Sequence, residues 1–147
     1  MYSRNHALVS AAVGVPIALG APESLHPLFV WAYVVVLGVL IDVDHFVIAR
    51  INLGDWRNVR RCLRRPSRVF VDQRSIFEPG DLWRDQRLFS HMLVLAGVAA
   101  VTWFVDPYLT FATVVSIYVH VVADLYADMG SRKEYVRNAN ELMEEVR

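Results

Sequence analysis

Long apolar runs separated by short polar breaks make up most of this chain. Four apolar segments stand out, at about residues 5–21, 28–49, 88–105 and 107–128. Each approaches the ~17–25 residues that a helix needs to cross the hydrocarbon core of a bilayer. The second is the clearest, because residues 32–40 lack the polar face that a soluble helix shows at i, i+3 and i+4. The pattern predicts an all-α integral membrane four-helix bundle.

The connections between these segments predict how the helices pair. Residues 22–27 join the first two segments, and Asp106-Pro107 joins the last two. Connections this short favour two antiparallel helical hairpins. The first segment is the weakest, because Gly14 and Pro16 interrupt it. The residues just before Pro22 lack an A-x-A cleavage site, so we expect this segment to be a retained helix rather than a signal peptide.

The charges are distributed unevenly, although the 15 basic and 15 acidic residues of this 147-residue chain sum to zero. Residues 50–87 contain ten arginines and five acids, whereas residues 5–49 and 88–131 contain no Lys or Arg. The positive-inside rule therefore places the 50–87 loop and both termini on the cytosolic side of the cytoplasmic membrane. Zero net charge excludes a nucleic-acid binder that relies on bulk charge. The 55% hydrophobic content excludes a disordered chain.

The basic loop contains a predicted amphipathic helix. Trp56, Val59 and Leu63 fall on one face, and the arginines on the other are Arg57, Arg60, Arg61, Arg64 and Arg65. Such a helix suits the surface of the anionic inner leaflet. Nucleic acid is the rival partner for an arginine cluster, but flanking membrane helices favour lipid. Residues 69–71 are predicted to form a short strand or an apolar stretch packed against the protein. Residues 132–147 are predicted to form a short cytosolic helix.

Histidines and aspartates collect at one end of the predicted bundle. Odd-numbered segments begin and even-numbered segments end on the cytosolic side, within about two helical turns of the surface. The polar residues that this arrangement brings to one leaflet are His6, Asp42, Asp44, His45, His91, His120, Asp124 and Asp128. Convergence from four helices predicts one shared site.

Spacing within the helices sharpens this prediction. Asp42 and His45 are three residues apart, and His120 and Asp124 four apart, so each pair shares a helix face. Asp44 lies about half a turn from Asp42 and is a less certain member. The helices contain no Lys or Arg to pair with these carboxylates, and a buried unpaired carboxylate is costly. We therefore expect a metal cation to supply the missing charge.

Imidazole and carboxylate ligands suit zinc, and also manganese or iron. The single cysteine, Cys62, excludes a thiolate-rich site and a disulfide framework. A tetrahedral zinc ion takes three or four protein ligands, and six residues are candidates. Either two ions bind, or some of these residues act as bases or as partners of the ligands. The candidate metal ligands are His6, Asp42, His45, His91, His120 and Asp124.

The ordered motifs resemble a known family, the membrane-bound metal-dependent hydrolases related to the bacterial inner-membrane protein YdjM. The matching elements are His6, Asp42-Val43-Asp44-His45, the segment Gln86-Arg87-Leu88-Phe89-Ser90-His91, and His120-Val121-Val122-Ala123-Asp124. Ile41, Gln86 and Leu88 stand where the family has Pro, His and Gly. The family is distantly similar to zinc-dependent phospholipase C and P1-type nucleases, which share the His-x-x-x-Asp spacing. This resemblance implies phosphate esters as substrates.

The leading hypothesis is metal-assisted hydrolysis of a phosphoester, carried by a lipid, at the cytosolic face. Asp44 is then the candidate general base or a partner of a ligand. Arg87 is the candidate phosphate-binding residue, with an ordinary inside-positive anchor as its alternative.

Two other functions fit the same residues. Asp42-x-x-His45 resembles the acid-x-x-His spacing of di-iron carboxylate bundles, which would give a membrane oxidoreductase, although those sites carry more glutamates. Gln86, in place of the family histidine, keeps open a non-catalytic metal-stabilised membrane subunit that works with a protein partner or as a homo-oligomer.

Overall fold

A computed structural model of the protein describes residues 3–66 and 76–145. Every regular element within these residues is helical, and none of them forms a strand, which confirms the predicted all-α class. The apolar stretch 69–71 lies outside the described residues. In chain order the helices are α1 Ser3–Leu19, α2 Pro27–Leu40, α3 Asp44–Leu53, α4 Arg57–Arg64, α5 Arg84–Val105, α6 Pro107–Gly130 and α7 Arg132–Glu145. A 3₁₀ turn, Ile41–Val43, joins α2 directly to α3.

Three helical spans are long and apolar enough to cross a membrane. They are Pro27–Leu53, which combines α2, the 3₁₀ turn and α3, and the helices α5 and α6. The first of them extends four residues beyond the predicted end at residue 49, and α5 begins four residues before the predicted start at residue 88. The loop predicted over 50–87 is correspondingly shorter. Helix α1 has 17 residues and is not among the three, so its role as a fourth span stays a prediction.

The outer surface of the spanning helices is apolar. Large hydrophobic side chains point outward along both α5 and α6, among them Leu93, Val101, Phe104, Phe111 and Val114. Between the helices lie small and polar side chains such as Thr113 and Ser116, which are almost fully buried. Small and hydroxyl-bearing residues at helix contacts, with apolar residues outside, are typical of proteins whose solvent is lipid. The distribution indicates a membrane protein.

Helix α1 packs along α2, α5 packs along α6, and both α1 and α2 contact α6. At the end where the short connections lie, Ile17, Val30 and Ala112 form a buried apolar core. Helices also meet through polar contacts there, since the Tyr108 hydroxyl donates a hydrogen bond of 2.5 Å to the Ile17 carbonyl oxygen. This end of the protein is packed and apolar, which leaves the opposite helix ends for the polar residues.

Local sequence explains the two tight connections. Pro27 is the first residue of α2, and His26 Nδ1 accepts a hydrogen bond of 3.2 Å from the Leu28 amide. Asp106 Oδ1 accepts hydrogen bonds from the first amides of α6, at 2.7 Å for Tyr108. A capping side chain followed by Pro is a strong start signal, because Pro lacks an amide that would otherwise be unsatisfied. His26, the histidine without a predicted role, is thus a helix cap.

Helix α4 lies beside α3 and is held by polar contacts. Asn58 is buried and donates a hydrogen bond of 3.0 Å to Asp81 Oδ2. Asp55 accepts a hydrogen bond from the Arg57 side chain at 3.1 Å, and this bond holds the pKa of the exposed Asp55 carboxyl below its usual range. Trp56 is 46% exposed and Leu63 75% exposed. The predicted helix therefore forms, and Trp56 and Leu63 face away from the protein, whereas Val59 is partly buried.

Arg84 ties α7 to the end of α6. Its guanidinium donates hydrogen bonds to the Asp128 carbonyl oxygen at 3.1 Å and to Ser131 Oγ at 2.7 Å. The same group lies 4.2 Å from the centre of the Tyr135 ring. A cation near the last carbonyl groups of a helix is electrostatically favourable. This junction fixes the position of α7 beside the polar end of α5 and α6.

Candidate metal centre

All six side chains predicted as metal ligands are buried and lie together. They come from the first turns of α1 and α3, the 3₁₀ turn, the first half of α5 and the second half of α6. Each is exposed by 8% or less. We call these residues the His/Asp cluster: His6, Asp42, His45, His91, His120 and Asp124. The cluster was predicted on one assumption: the helix ends that lie on the same side of a membrane also lie close to one another.

Asp42 lies at the centre of the cluster. Its Oδ1 is 3.3 Å from His120 Nε2, 3.5 Å from His45 Nε2 and 3.7 Å from His91 Nε2. One carboxylate oxygen therefore faces three imidazole nitrogens from three helices. The 3₁₀ turn positions Asp42 at the point where α2 passes into α3.

Asp124 closes the other side of the cluster. Its Oδ1 is 3.1 Å from His6 Nε2, and its Oδ2 is 3.6 Å from His120 Nε2 and 3.7 Å from His91 Nε2. The rings of His6 and His120 stack at a centroid distance of 3.8 Å. The stack holds the two rings side by side against the Asp124 carboxylate.

The distances fit a metal ion better than a hydrogen-bonded network. In a tetrahedral zinc site with bonds of about 2.0–2.1 Å, neighbouring ligand atoms lie about 3.3–3.4 Å apart. The separations around Asp42 have this size, whereas a charge-assisted hydrogen bond is about 2.7–2.9 Å long. The Nε2 atoms of His45, His91 and His120 are buried and make no hydrogen bond. Buried nitrogens without hydrogen bonds, all directed at shared carboxylates, are what a cation would coordinate.

Two of these histidines are oriented through their other ring nitrogen. His91 Nδ1 lies 2.7 Å from Asp44 Oδ2, and His120 Nδ1 lies 2.8 Å from the Gly38 carbonyl oxygen. Both acceptors require a proton on Nδ1, so each Nε2 presents its lone pair to the cluster. A carboxylate or carbonyl behind the histidine is the usual arrangement around protein metal ions.

The cluster divides into two overlapping groups. Ligand atoms of His6, Asp42, His120 and Asp124 lie within 4.8 Å of one another, as do those of Asp42, His45 and His91. Asp42 belongs to both, and a carboxylate can bridge two ions. The cluster can therefore hold one ion in either group, or two ions that share Asp42.

Asp44 lies closer to the cluster than α-helical spacing predicts. An α-helix separates residues i and i+2 by about 200°, whereas a 3₁₀ helix, with 3.0 residues per turn, separates them by about 240°. The 3₁₀ turn brings Asp44 back toward the face of Asp42, and Asp44 Oδ1 comes within 3.7 Å of His45 Nε2. Its hydrogen bond to His91 makes Asp44 a positioning residue in this geometry.

The expectation that the buried carboxylates lack an organic counter-ion is wrong for α6. Arg87 Nη2 lies 2.5 Å from Asp128 Oδ2, and Arg87 Nε lies 3.5 Å from Asp124 Oδ2. Because helix α5 begins before residue 88, Arg87 lies inside a helix and beside the end of α6. Among the described residues, Asp42 and Asp44 have no Lys or Arg within ion-pair distance. The argument for a compensating cation therefore holds for these two carboxylates.

Gln86, which stands where the resembling family has His, contacts another part of the structure. Its Nε2 donates a hydrogen bond of 3.0 Å to Asn52 Oδ1, and its Oε1 accepts one of 2.7 Å from Asn52 Nδ2. Asn52 also donates to the Asp81 carbonyl oxygen at 3.0 Å. This reciprocal amide pair fastens the end of α3 to the start of α5. Sequence reasoning missed it, since Asn and Gln in distant segments give no pairing signal.

A cleft of about 410 Å³ opens beside the cluster. It lies between α5 and α6 and is bordered by α7. His91 and Asp124 line its inner end, and Arg87 lies beside them. Since His6, Asp42, His45 and His120 do not line this cleft, access from it to the cluster passes His91 and Asp124.

No family model matches the sequence, and comparisons with curated proteins and with solved structures give no match. The resemblance to the YdjM-related hydrolases therefore stays a prediction. The geometry of the site carries the functional argument.

Proposed function

We propose that this protein is a multi-pass membrane metallohydrolase that cleaves phosphoesters at the His/Asp cluster. The observation that carries the proposal is the convergence of three buried His Nε2 atoms, free of hydrogen bonds, on the carboxylates of Asp42 and Asp124. Without a cation, this region buries imidazole lone pairs and carboxylates at a high desolvation cost. With one, the same atoms become ligands.

The donor set favours zinc, with manganese and iron as the other metals that imidazole and carboxylate accept. No thiolate takes part, because Cys62 lies on α4 and belongs to neither metal group. Neither group contains a glutamate within the described residues, which argues against the glutamate-rich di-iron chemistry of oxidative helix bundles.

We infer two ions with different tasks. The group of His6, Asp42, His120 and Asp124 offers four ligands, which fill a tetrahedral site. The group of Asp42, His45 and His91 offers three ligands and leaves a position for water or substrate, as catalytic zinc sites do. His91 of the three-ligand group and Asp124 of the four-ligand group both line the cleft, and only the three-ligand group leaves a position for substrate.

When bound, a divalent cation polarises a phosphoryl oxygen and makes water acidic enough to attack at neutral pH. The attack forms a bond from the water oxygen to phosphorus and breaks the phosphorus–oxygen bond to the alcohol. The water loses one proton and the leaving alkoxide takes up one, so the protons balance without another donor. Asp44 holds His91 in place, and Arg87 binds the phosphate through its planar guanidinium.

The proposed topology has four spans, α1 included, in the cytoplasmic membrane. Ten arginines in residues 50–87 set that loop, both termini and the cluster on the cytosolic side. Helix α4 then rests on the anionic leaflet, with the exposed Trp56 and Leu63 toward lipid and its arginines among the headgroups.

Metal analysis of the protein purified in detergent without chelator tests the centre. We expect about two ions per chain, as the two ligand groups require. His45→Ala removes a ligand of the three-residue group alone and is expected to leave about one ion. His26→Ala is the matched control, because His26 caps α2 outside the cluster. Wild-type protein without bound metal after zinc loading overturns the proposal.

A phosphoester panel then tests the reaction. Zinc-loaded wild type is expected to release phosphate or alcohol from at least one monoester or diester, and His45→Ala to release none. Bound metal without turnover across the panel, together with a protein that co-purifies, overturns the hydrolase and favours the metal-stabilised subunit. Iron content with an oxygen-dependent visible spectrum favours the oxidoreductase instead.

A further inference from the structure

The cleft beside the cluster combines a polar inner end with apolar walls. His91, Asp124 and Arg87 form the inner end, and Leu88 and Leu125 form walls that face each other from α5 and α6. Leu88 is 38% exposed and Leu125 46% exposed, so these walls continue onto the lipid-facing surface. An apolar opening between two spanning helices can admit a ligand that carries an apolar part beside its phosphate.

Three arginines border the cleft: Arg84, Arg87 and Arg132. Asp124, Asp128 and Asp85 are the acids that line it, and these charges balance formally. Once a divalent cation occupies the cluster, its charge offsets Asp124, and the cleft becomes net positive. Arg132 is exposed and makes no ion pair within the described residues, so it is available to an anionic group.

The geometry points to a phospholipid-type substrate, in which an anionic phosphate ester is attached to acyl chains. Its phosphate would lie at the inner end of the cleft, beside Arg87 and His91. Its acyl chains would leave between α5 and α6 along Leu88 and Leu125. This inference rests on the proposed metallohydrolase and adds to it the class of substrate and the direction from which the substrate arrives.

A lipid enters such a cleft sideways, without leaving the bilayer. The phosphate reaches the cluster at the end of the spanning helices, at the level where headgroups lie. The apolar part stays in contact with Leu88 and Leu125, whose side chains are 38% and 46% exposed. A free phosphate ester makes the polar contacts alone, so the two substrate classes differ in their dependence on the apolar walls.

Photo-crosslinking in nanodiscs tests this site. The probe is a phosphatidate with a diazirine in one acyl chain, added to the full-length, zinc-loaded protein in phosphatidylcholine nanodiscs. We expect labelling at Leu88 and Leu125, reduced by excess unlabelled phosphatidate and unaffected by excess phosphatidylcholine. Inorganic phosphate, as the second competitor, is expected to compete only weakly, because it lacks the acyl contacts.

Two variants make the test specific. Leu125→Trp fills the opening of the cleft, and Val122→Trp is the control, since Val122 lies on the same helix with a similar exposure of 45% but does not line the cleft. We expect Leu125→Trp to lower labelling by about tenfold, the effect of losing about 1.4 kcal/mol of binding. Val122→Trp should label as wild type does.

The outcomes separate this inference from the proposed function. Metal content is measured on the same samples, and both variants are expected to keep wild-type metal. Labelling that spreads over all lipid-facing helices, or that is unchanged in Leu125→Trp, overturns the lipid site. If the same samples bind metal and hydrolyse soluble phosphoesters, the proposed hydrolase stands. Absence of bound metal overturns the proposed function, and labelling that then persists at Leu125 still supports a lipid site.

Discussion

His91 Nδ1 lies 2.7 Å from Asp44 Oδ2, and this contact aims His91 Nε2 at Asp42 and Asp124. The two residues come from α5 and α3, so the contact also joins two helices at the buried end of the protein. A carboxylate behind a histidine raises the basicity of the ring and fixes its tautomer. In the proposed metal centre, Asp44 therefore acts through His91.

Asp44→Asn is expected to weaken metal binding by about 10–100-fold, the usual effect of losing such a partner. The amide keeps the shape of the side chain and removes its charge, so the helices should stay packed. Competition with a zinc chelator measures the affinity, and circular dichroism measures the helix content. Asp85→Asn is the control, because Asp85 is an exposed acid at the start of α5 outside both metal groups. Equal losses in the two variants would contradict the positioning role.

Metal binding should stabilise the fold, because the ligands come from distant parts of the chain. At a free zinc concentration of about 100 times the dissociation constant, the expected gain in unfolding free energy is about 2.7 kcal/mol. Thermal unfolding in detergent, with zinc and with EDTA, measures the gain as a shift in Tm. His120→Ala should abolish most of this shift, whereas His26→Ala should keep it. A wild-type Tm that does not respond to zinc would sink the prediction.

The all-helical class and the meeting of the His and Asp residues followed from simple patterns. Apolar segment length predicted the helices, and their alternating direction brought six side chains to one end. The signal was strong because a bilayer allows so few backbone arrangements. The ends of helices were less predictable. Helix α5 begins at Arg84, four residues before the start at Leu88 that hydropathy alone predicts, because its first turn contains the charged residues Arg84 and Arg87.

The side-chain partners were harder to predict. Arg87 and Asp128 both lie about twenty residues from Asp106, on opposite sides of the hairpin turn, so equal rise per residue places them at one level. That signal was present in the sequence and was not used. Other features left no such signal. Two features depend on how neighbouring helices pack, which no local pattern encodes. They are the 3₁₀ turn that brings Asp44 toward the cluster, and the Asn52–Gln86 pair.

The ion pairs of Arg87 predict a thermodynamic link to metal binding. Without metal, Arg87 is the cation that faces Asp124 and Asp128. Arg87→Met should therefore lower the Tm of the metal-free protein more than that of the zinc-loaded protein, by about 3 °C or more, the shift that about 1 kcal/mol produces in a chain of this size. Thermal unfolding of both states measures the difference.

Arg137→Met is the matched control for this comparison. Arg137 is exposed on α7 and lies 3.9 Å from Glu141, and surface ion pairs of this kind contribute little. Its replacement should change neither Tm by a measurable amount. If Arg87→Met lowers both Tm values equally, Arg87 acts through packing rather than through the charge of Asp124.

The close approach of α1 and α2 gives a final prediction about the support of the cluster. A Cβ added to Gly38 would collide with the Ser10 side chain, and the Gly38 carbonyl oxygen accepts the hydrogen bond that orients His120. Gly38→Ala should force the two helices apart and cost about 1–3 kcal/mol, the usual range for overpacking a core. Because a shift of α2 would displace the carbonyl oxygen that orients His120, zinc affinity should fall in the same variant. Gly97→Ala is the control: nothing lies within 4 Å of the added Cβ in the middle of α5, so helix propensity alone should stabilise it by about 0.5–1 kcal/mol.

Opposite signs in the two unfolding experiments, with zinc affinity lowered only by Gly38→Ala, would establish that helix packing beneath the cluster sets its geometry. A Gly38→Ala protein with unchanged stability and zinc affinity would show that the contact has no such role.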